Sequence, residues 1–368
     1  MAMDSIPLQA SLIAWSSAHL SRSSKPHIVN ALEGHSVALA QVSSSICTLK
    51  ATFSPSTADT LLASCLVLSA TEIVHGDTEH WYKHLKGAKE IIMAAECVGV
   101  GGKILRGPGC FAMERDGQWL LRNFAYHDVL GSVTSNEGPL ISGAYWLHDE
   151  ITVVDSYVGV GSKILAMLSD ICKLDDGPKH HVASSFAGQT SELQLSDQVR
   201  TEFWQAADEL EFRLQEWKCP DASDDGLIEL AESYRGAAFI SPYRKQRSRS
   251  VHYNEGRCPS LVKDKIATAV QRTMSHIQKI PLVSLPECGL LFPLFMAGGD
   301  TLEASHIEIV RSRLHLLLGN RRFGNIARAS EVLEEFWRLR ITGVKNLQGR
   351  DLDWKDILRE KGWHLTLV

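Results

Sequence analysis

The chain has 368 residues, 44% of them hydrophobic and 22% charged, with a formal net charge of −5. This composition supports a sizeable globular core and excludes an overall basic field able to hold a polyanion, so nucleic-acid contact would need a local patch or another module. MAMDSIPLQA at the start has neither a basic n-region nor an apolar h-region, and no uninterrupted apolar run reaches the ~18–20 residues of a membrane helix, so a soluble intracellular protein without a membrane partner is expected.

Helical periodicity dominates in chain order. From Ile28, the positions Leu32, His35, Leu39, Val42, Ile46 and Leu49 recur at spacings of three and four and predict one buried stripe. Asp59 is placed as N-cap of ADTLLASCLVLSATEIV. After HGD, HWYKHLKGAKEIIMAAE sets Trp81, Leu85, Ala88, Ile92 and Ala95 on one side of the next helix. The connections are short, which predicts antiparallel helix pairs. Residues 97–117 are Gly-rich and read as a surface loop. Helices are predicted at about 118–134 and across 150–174, with a mobile polar loop at 175–195. The stripe Val199, Phe203, Ala206, Leu210, Leu214 and Trp217 marks a long amphipathic helix, and another starts at Leu227. RKQRSRS (244–250) opens a basic, Pro-containing loop to about 259, a solvated surface or a nuclear-import signal. Helices follow at 260–280, 301–318, 325–340 and 353–361, and strand signal is confined to the final HLTLV. The expected fold is all-α: one large helical-bundle domain, residues 1–368, built of antiparallel helix pairs.

Motifs with chemical potential are few. CVGVGGKI (97–104) lacks the first Gly and the Ser or Thr of a P-loop, and YVGVGSKI (157–164) has no strand before it, so no nucleotide cofactor is expected. His80 and His84 stand four apart on one helix, a spacing for two metal ligands, but no third ligand is evident; an exposed His80 and a His84 packed beside Leu85 are expected, with no metal. The pair His180-His181 falls in the mobile loop and points to a metal more weakly still. The eight cysteines contain no C-x2-C pair and read as small core residues. Tyr126-His127-Asp128 cannot converge on one atom, because successive helical side chains point about 100° apart. Asp128, on the face of Leu121, Phe124 and Ala125, would be a buried carboxylate needing a donor from Arg122 or a neighbouring helix.

Taken together and in order, LIAWSSAHLS, LLASCLVLSATEIVHGDTEHWYKHLKGAKEII, RNFAYHDVLGSV, LAESYRGAAFI, IPLVSLPECGLLFPLFMAGGD, FGNIARASEVLEEFWRLR and DLDWKDILREKG resemble the regulatory domain of fungal zinc-cluster transcription factors. The block of Gly76, Asp77, Trp81, His84, Leu85, Gly87 and Ala88 matches that family's pattern, as does the block of Gly289, Leu290, Leu291, Pro293, Leu294, Phe295, Ala297 and Gly298. The resemblance implies an all-helical, nuclear domain that senses a small-molecule effector or contacts other transcription factors and coregulators, with a role in a metabolic pathway such as secondary metabolism. A homodimer fits the same picture. The six closely spaced cysteines of the family's DNA-reading cluster are not matched here, so no direct DNA binding by this chain alone is expected. The alternative is a scaffold recruited in the cytoplasm as a cofactor-independent cyclase or isomerase for a hydrophobic metabolite, since a dry, shaped cavity can catalyse without a nucleophile. Under either reading the candidate pocket residues are Tyr126, His127, Asp128, Trp146, Tyr157, Phe292 and Phe295.

Overall fold

Apolar residues at helical spacing and scarce strand-formers give an all-α protein. The structure is a computed structural model that describes residues 4–24, 27–49, 55–135, 137–147, 154–174, 189–220, 224–253, 258–345 and 352–368. His180, His181, Asp149, Glu150 and most of the 175–195 segment lie outside the described residues. In order the elements are α1 (Ile6–Ser21), α2 (His27–Leu49), α3 (Pro55–His75), α4 (His80–Ala94), β1 (Glu96–Val98), β2 (Ile104–Arg106), α5 (Pro108–Phe111), α6 (Arg115–Thr134) and α7 (Ser162–Lys173). They continue with α8 (Gln189–Glu216), α9 (Asp225–Tyr253), α10 (Pro259–Lys279), α11 (Leu291–Asp300), α12 (Ala304–Arg321), α13 (Gly324–Ile341) and α14 (Trp354–Lys361). These form two compact units, Met1–Ile151 with Arg311–Val368, and Thr152–Val310.

In the first unit α1 packs on α2 and α3, and α3 on α4 and α6. The buried face of α2 follows the predicted stripe only in part, at Val42 and the half-buried His35 and Ile46. Ala31, Ala38 and Val42 are buried, whereas Ile28, Val29, Leu32, Val37 and Leu39 are exposed. Small residues let the helices approach: Gly34 sits against Ala14, and α1 buries Ala10, Ser11, Ala14 and Ala18 while exposing Ile6, Ile13 and Leu20. Nor is Asp59 a cap. The helix starts a turn earlier, at Pro55, and burial together with Asp116 and Glu114 pushes the Asp59 carboxyl up to about 6. Residues 56–75 of α3 are long and apolar enough to cross a membrane by length and composition, and 72% of that stretch is buried inside the protein.

The Gly76–Ala88 block is architecture. Gly76, at φ +78°, ends α3 where a side chain would meet the backbone of Gly324, and Gly324 has the same constraint in return. The Asp77 carboxylate accepts the Glu79 and His80 backbone N–H groups and so caps α4. Trp81 is 1% exposed; its indole N–H donates to the His364 carbonyl at 2.8 Å, and its ring fills the space left by Gly131 on α6. The final HLTLV, where the sequence carries its strand signal, is not a strand: His364 is exposed, Leu365, Thr366 and Leu367 are buried, and side chains hold the segment, Thr134 Oγ1 donating to Leu365 O and Asn325 Nδ2 to the Thr366 and Val368 carbonyls. The 97–117 stretch, expected as an irregular loop, contains the β1–β2 hairpin and α5. A W81A variant would lose the ring, the hydrogen bond and the contact with α6, and should cost ~3–5 kcal/mol in chemical denaturation.

In the second unit α11 is buried over its whole length between α9 and α10, which makes GLLFPLFMAGGD a core segment. The predicted helix across 150–174 begins only at Ser162. YVGVG instead forms a tight turn in which Asp155 Oδ1 accepts the Tyr157 and Val158 N–H groups. RKQRSRS is not a surface loop. It continues α9, and Arg244, Gln246 and Arg249 are buried. Arg244 and Arg247 both donate to the Asp300 carboxylate, the latter at 3.0 Å, and the Arg249 guanidinium lies 4.2 Å from the Phe203 ring centroid. A basic run amphipathic only in composition is drawn inward by one buried acid and one aromatic face. D300A leaves the Arg244 charge buried without its carboxylate, and a loss of ~3–5 kcal/mol in the stability of this unit is expected in urea melts.

Candidate functional site

The predicted site starts on α6. From Asn123 to Thr134 every residue of this helix is buried, so Tyr126 and His127 do not point to a solvent face; neighbours cover the helix all round. The His127 ring Nδ1 lies 2.9 Å from the Asn123 carbonyl, one turn back, which places the proton on Nδ1, and burial lowers the imidazole's pKa and keeps it neutral. Tyr126 meets the His127 ring edge to face at 5.7 Å.

Asp128 finds its donors on the backbone and not on Arg122. Oδ1 accepts the Leu140 N–H at 2.7 Å and Oδ2 the Ile141 N–H at 3.2 Å, so the carboxylate ties the GPLI segment to α6. Burial pushes this carboxyl up to about 6, against the two N–H bonds that pull it down. Tyr145, absent from the sequence prediction, lies within the field of Asp128; burial chiefly, and that charge, raise its phenol well above the ordinary value. Its ring packs 4.9 Å from Trp146 and 6.4 Å from Phe124. The Tyr145 hydroxyl and the Trp146 indole N–H are buried without a hydrogen-bond partner, a costly arrangement in a dry core.

Tyr157, Phe292 and Phe295 belong to the other unit. Tyr157 is half-buried in the Asp155 turn, Phe292 packs 5.2 Å from Tyr234, and Phe292 and Phe295 are wholly buried on α11. The Gly-rich stretches are structural too: CVGVGGKI is the β1–β2 hairpin, closed by Gly99 N–H donating to Lys103 O at 2.8 Å.

An open cleft sits elsewhere in the first unit, with a volume of about 500 Å³. Trp15, Ser16, His19 and Leu20 of α1 line it with Asn320, Arg321 and Phe323. The Trp15 and His19 rings stack at 6.4 Å, and His19 meets Phe323 edge to face at 5.8 Å. Trp15 Nε1 and His19 Nδ1 are buried without a partner behind this mostly apolar wall and are not presented to the cleft. No local pattern in LIAWSSAHLS flags this, because the opposite wall arrives 300 residues later.

A second grouping concerns His84. His80 is exposed and pairs with Asp77 at 2.9 Å, as its place at the helix start suggests. His84 turns the other way, toward Glu72 of α3 and His35 of α2. Of the cysteines described, Cys65 is fully buried and burial pushes its thiol up to about 12; Cys258 is exposed, and the others are half-buried.

A profile of the fungal-specific transcription factor domain matches residues 1–368. The chain belongs to that family. An uncharacterized transcriptional regulatory protein of Schizosaccharomyces pombe is 22% identical over 312 residues, 83% of this chain and 54% of the relative. The chain thus spans about half the length of the curated relative it matches. No solved structure matches it. Membership in this family and a relative described as a transcriptional regulator together support a role in transcription regulation.

Asp128 gives this fungal regulatory domain a pH signature. Its carboxyl rises from 3.8 to about 6 on folding, so the folded state holds the proton more tightly, and stability falls as pH rises from about 4 through 6 and levels off above. Urea melts at pH 4.5 and 7 should show a decline that is smaller by ~2–3 kcal/mol in D128N than in the wild type. Equal declines would remove Asp128 as its source.

Proposed function

We propose that this chain is the effector-responsive part of a nuclear transcription regulator, with DNA read by another segment or by a partner factor, and that the effector docks in the Trp15–His19–Phe323 cleft. Membership in the fungal-specific transcription factor domain family supports the regulatory role. The observation that carries the docking site is the cleft itself: aromatic walls and about 500 Å³ of space. Such a site suits a largely apolar, flat metabolite. Arg321 at the wall adds a cation that a carboxylate-bearing effector would meet. The Asp128–Tyr145–Trp146 cluster supports a second role for the same unit, as a buried polar centre whose unmatched groups keep more than one packing within reach. Contacts with other transcription factors or coregulators, and control of a metabolic pathway, belong to this reading.

The test is a thermal-shift screen of the full chain against aromatic carboxylic acids, indoles and polycyclic metabolites. A ligand at a hundredfold excess over its Kd should raise Tm by about 2–5 °C. W15A and H19A should abolish that shift while leaving the melting profile cooperative. A hit whose shift survives both substitutions places the effector elsewhere and refutes the cleft.

A further inference from the structure

His35, Glu72 and His84 come from three successive helices, α2, α3 and α4, and meet inside the first unit. Nε2 of His35 lies 3.2 Å from Glu72 Oε1, and Nε2 of His84 lies 3.7 Å from the same oxygen. One ligand atom from each residue falls within 4.8 Å of the other two. Glu72 is 8% exposed and the two imidazoles are largely covered, their rings 6.3 Å apart and steeply inclined. His35 Nε2 is buried, and the Glu72 carboxylate at 3.2 Å is the polar group it faces.

These features are hard to satisfy with protons alone. One carboxylate oxygen faced by two imidazoles can neutralise one imidazolium, and a second positive ring beside it would repel the first. A divalent cation resolves the arrangement, because each neutral imidazole offers a lone pair and the carboxylate supplies charge. Ligand atoms held ~2.0–2.1 Å from a tetrahedral zinc are about 3.3–3.4 Å apart. The two distances to Glu72 Oε1, 3.2 and 3.7 Å, lie within a few tenths of an ångström of that. Two nitrogens and one oxygen favour a borderline first-row cation over calcium or magnesium, which take oxygen ligands.

We propose that His35, Glu72 and His84 form a three-ligand site for a first-row divalent cation, Zn²⁺ being the best match, with the fourth position open to water or an exogenous ligand. The cation would staple α2, α3 and α4 together, which makes the stability of this unit metal-responsive. The site uses no thiolate and does not rest on the cleft.

The experiment takes the full chain, stripped with a chelator, and titrates it with Co²⁺ as the probe. The result expected is the visible absorption of a low-coordinate cobalt centre saturating at one equivalent, displaced by Zn²⁺, with a rise in Tm on adding Zn²⁺ alone. H35A and H84A should each weaken binding at least tenfold, E72Q likewise, and H80A should leave it unchanged. If an alanine variant loses its helical circular dichroism, the better-tolerated H35Q and H84Q take its place. Absence of the cobalt spectrum in the wild-type chain overturns the proposal, and so does a spectrum that persists in the folded His35 and His84 variants.

Discussion

The first unit depends on one side chain. Trp81 closes three gaps at once: its ring occupies the space that Gly131 leaves on α6, its N–H secures the carbonyl of His364, and its own carbonyl receives the Ser69 hydroxyl of α3. A large aromatic with one donor is suited to this, since it supplies apolar area in the core and a directed bond at the edge. The glycines around it follow from the same closeness. Gly131 is small because the indole is there, and Gly76 and Gly324 are small because α3 must end where α13 begins. The C-terminal residues, which no strand ladder holds, are fixed by this indole, by Thr134 and by Asn325.

Three buried carboxylates show how differently one chain handles the same cost. Asp128 is held by two backbone N–H groups and no cation, and burial prevails, so its carboxyl is raised. Asp300 is met by two guanidinium groups, which pull the RKQRSRS segment into the second unit. Glu72 is desolvated as well, yet the His35 and His84 imidazoles outweigh that and hold its carboxyl at about 2. Partner type differs at each: fixed backbone dipoles at Asp128, two permanent cations at Asp300, and two imidazoles at Glu72.

A transcription-regulatory domain of this family does not need reactive groups converging on one atom, and the α6 triplet has none. Tyr126, His127 and Asp128 are each engaged with a near neighbour: a ring edge, a carbonyl one turn back, and a loop backbone. The proposed effector role calls for a cavity and a packing that can change. The cleft beside α1 and the unmatched Tyr145 and Trp146 groups stand in the same unit.

Residue pattern alone determined the helical class, the approximate positions of α4, α6, α8, α10, α13 and α14, and the inward face of α4, because a 3.6-residue period is a local property that survives any tertiary arrangement. It also carried the family through ordered blocks such as Gly76–Ala88 and Gly289–Gly298. Tertiary structure alone decided which face of α2 is buried, since small residues that allow close approach outcompeted larger apolar ones at the contact with α1. It turned a basic run into the buried end of α9 through Asp300, 56 residues after Arg244. It also gave His84 its partners, for His35 and Glu72 lie on other helices, and a meeting of three helices leaves no periodic trace in any one of them.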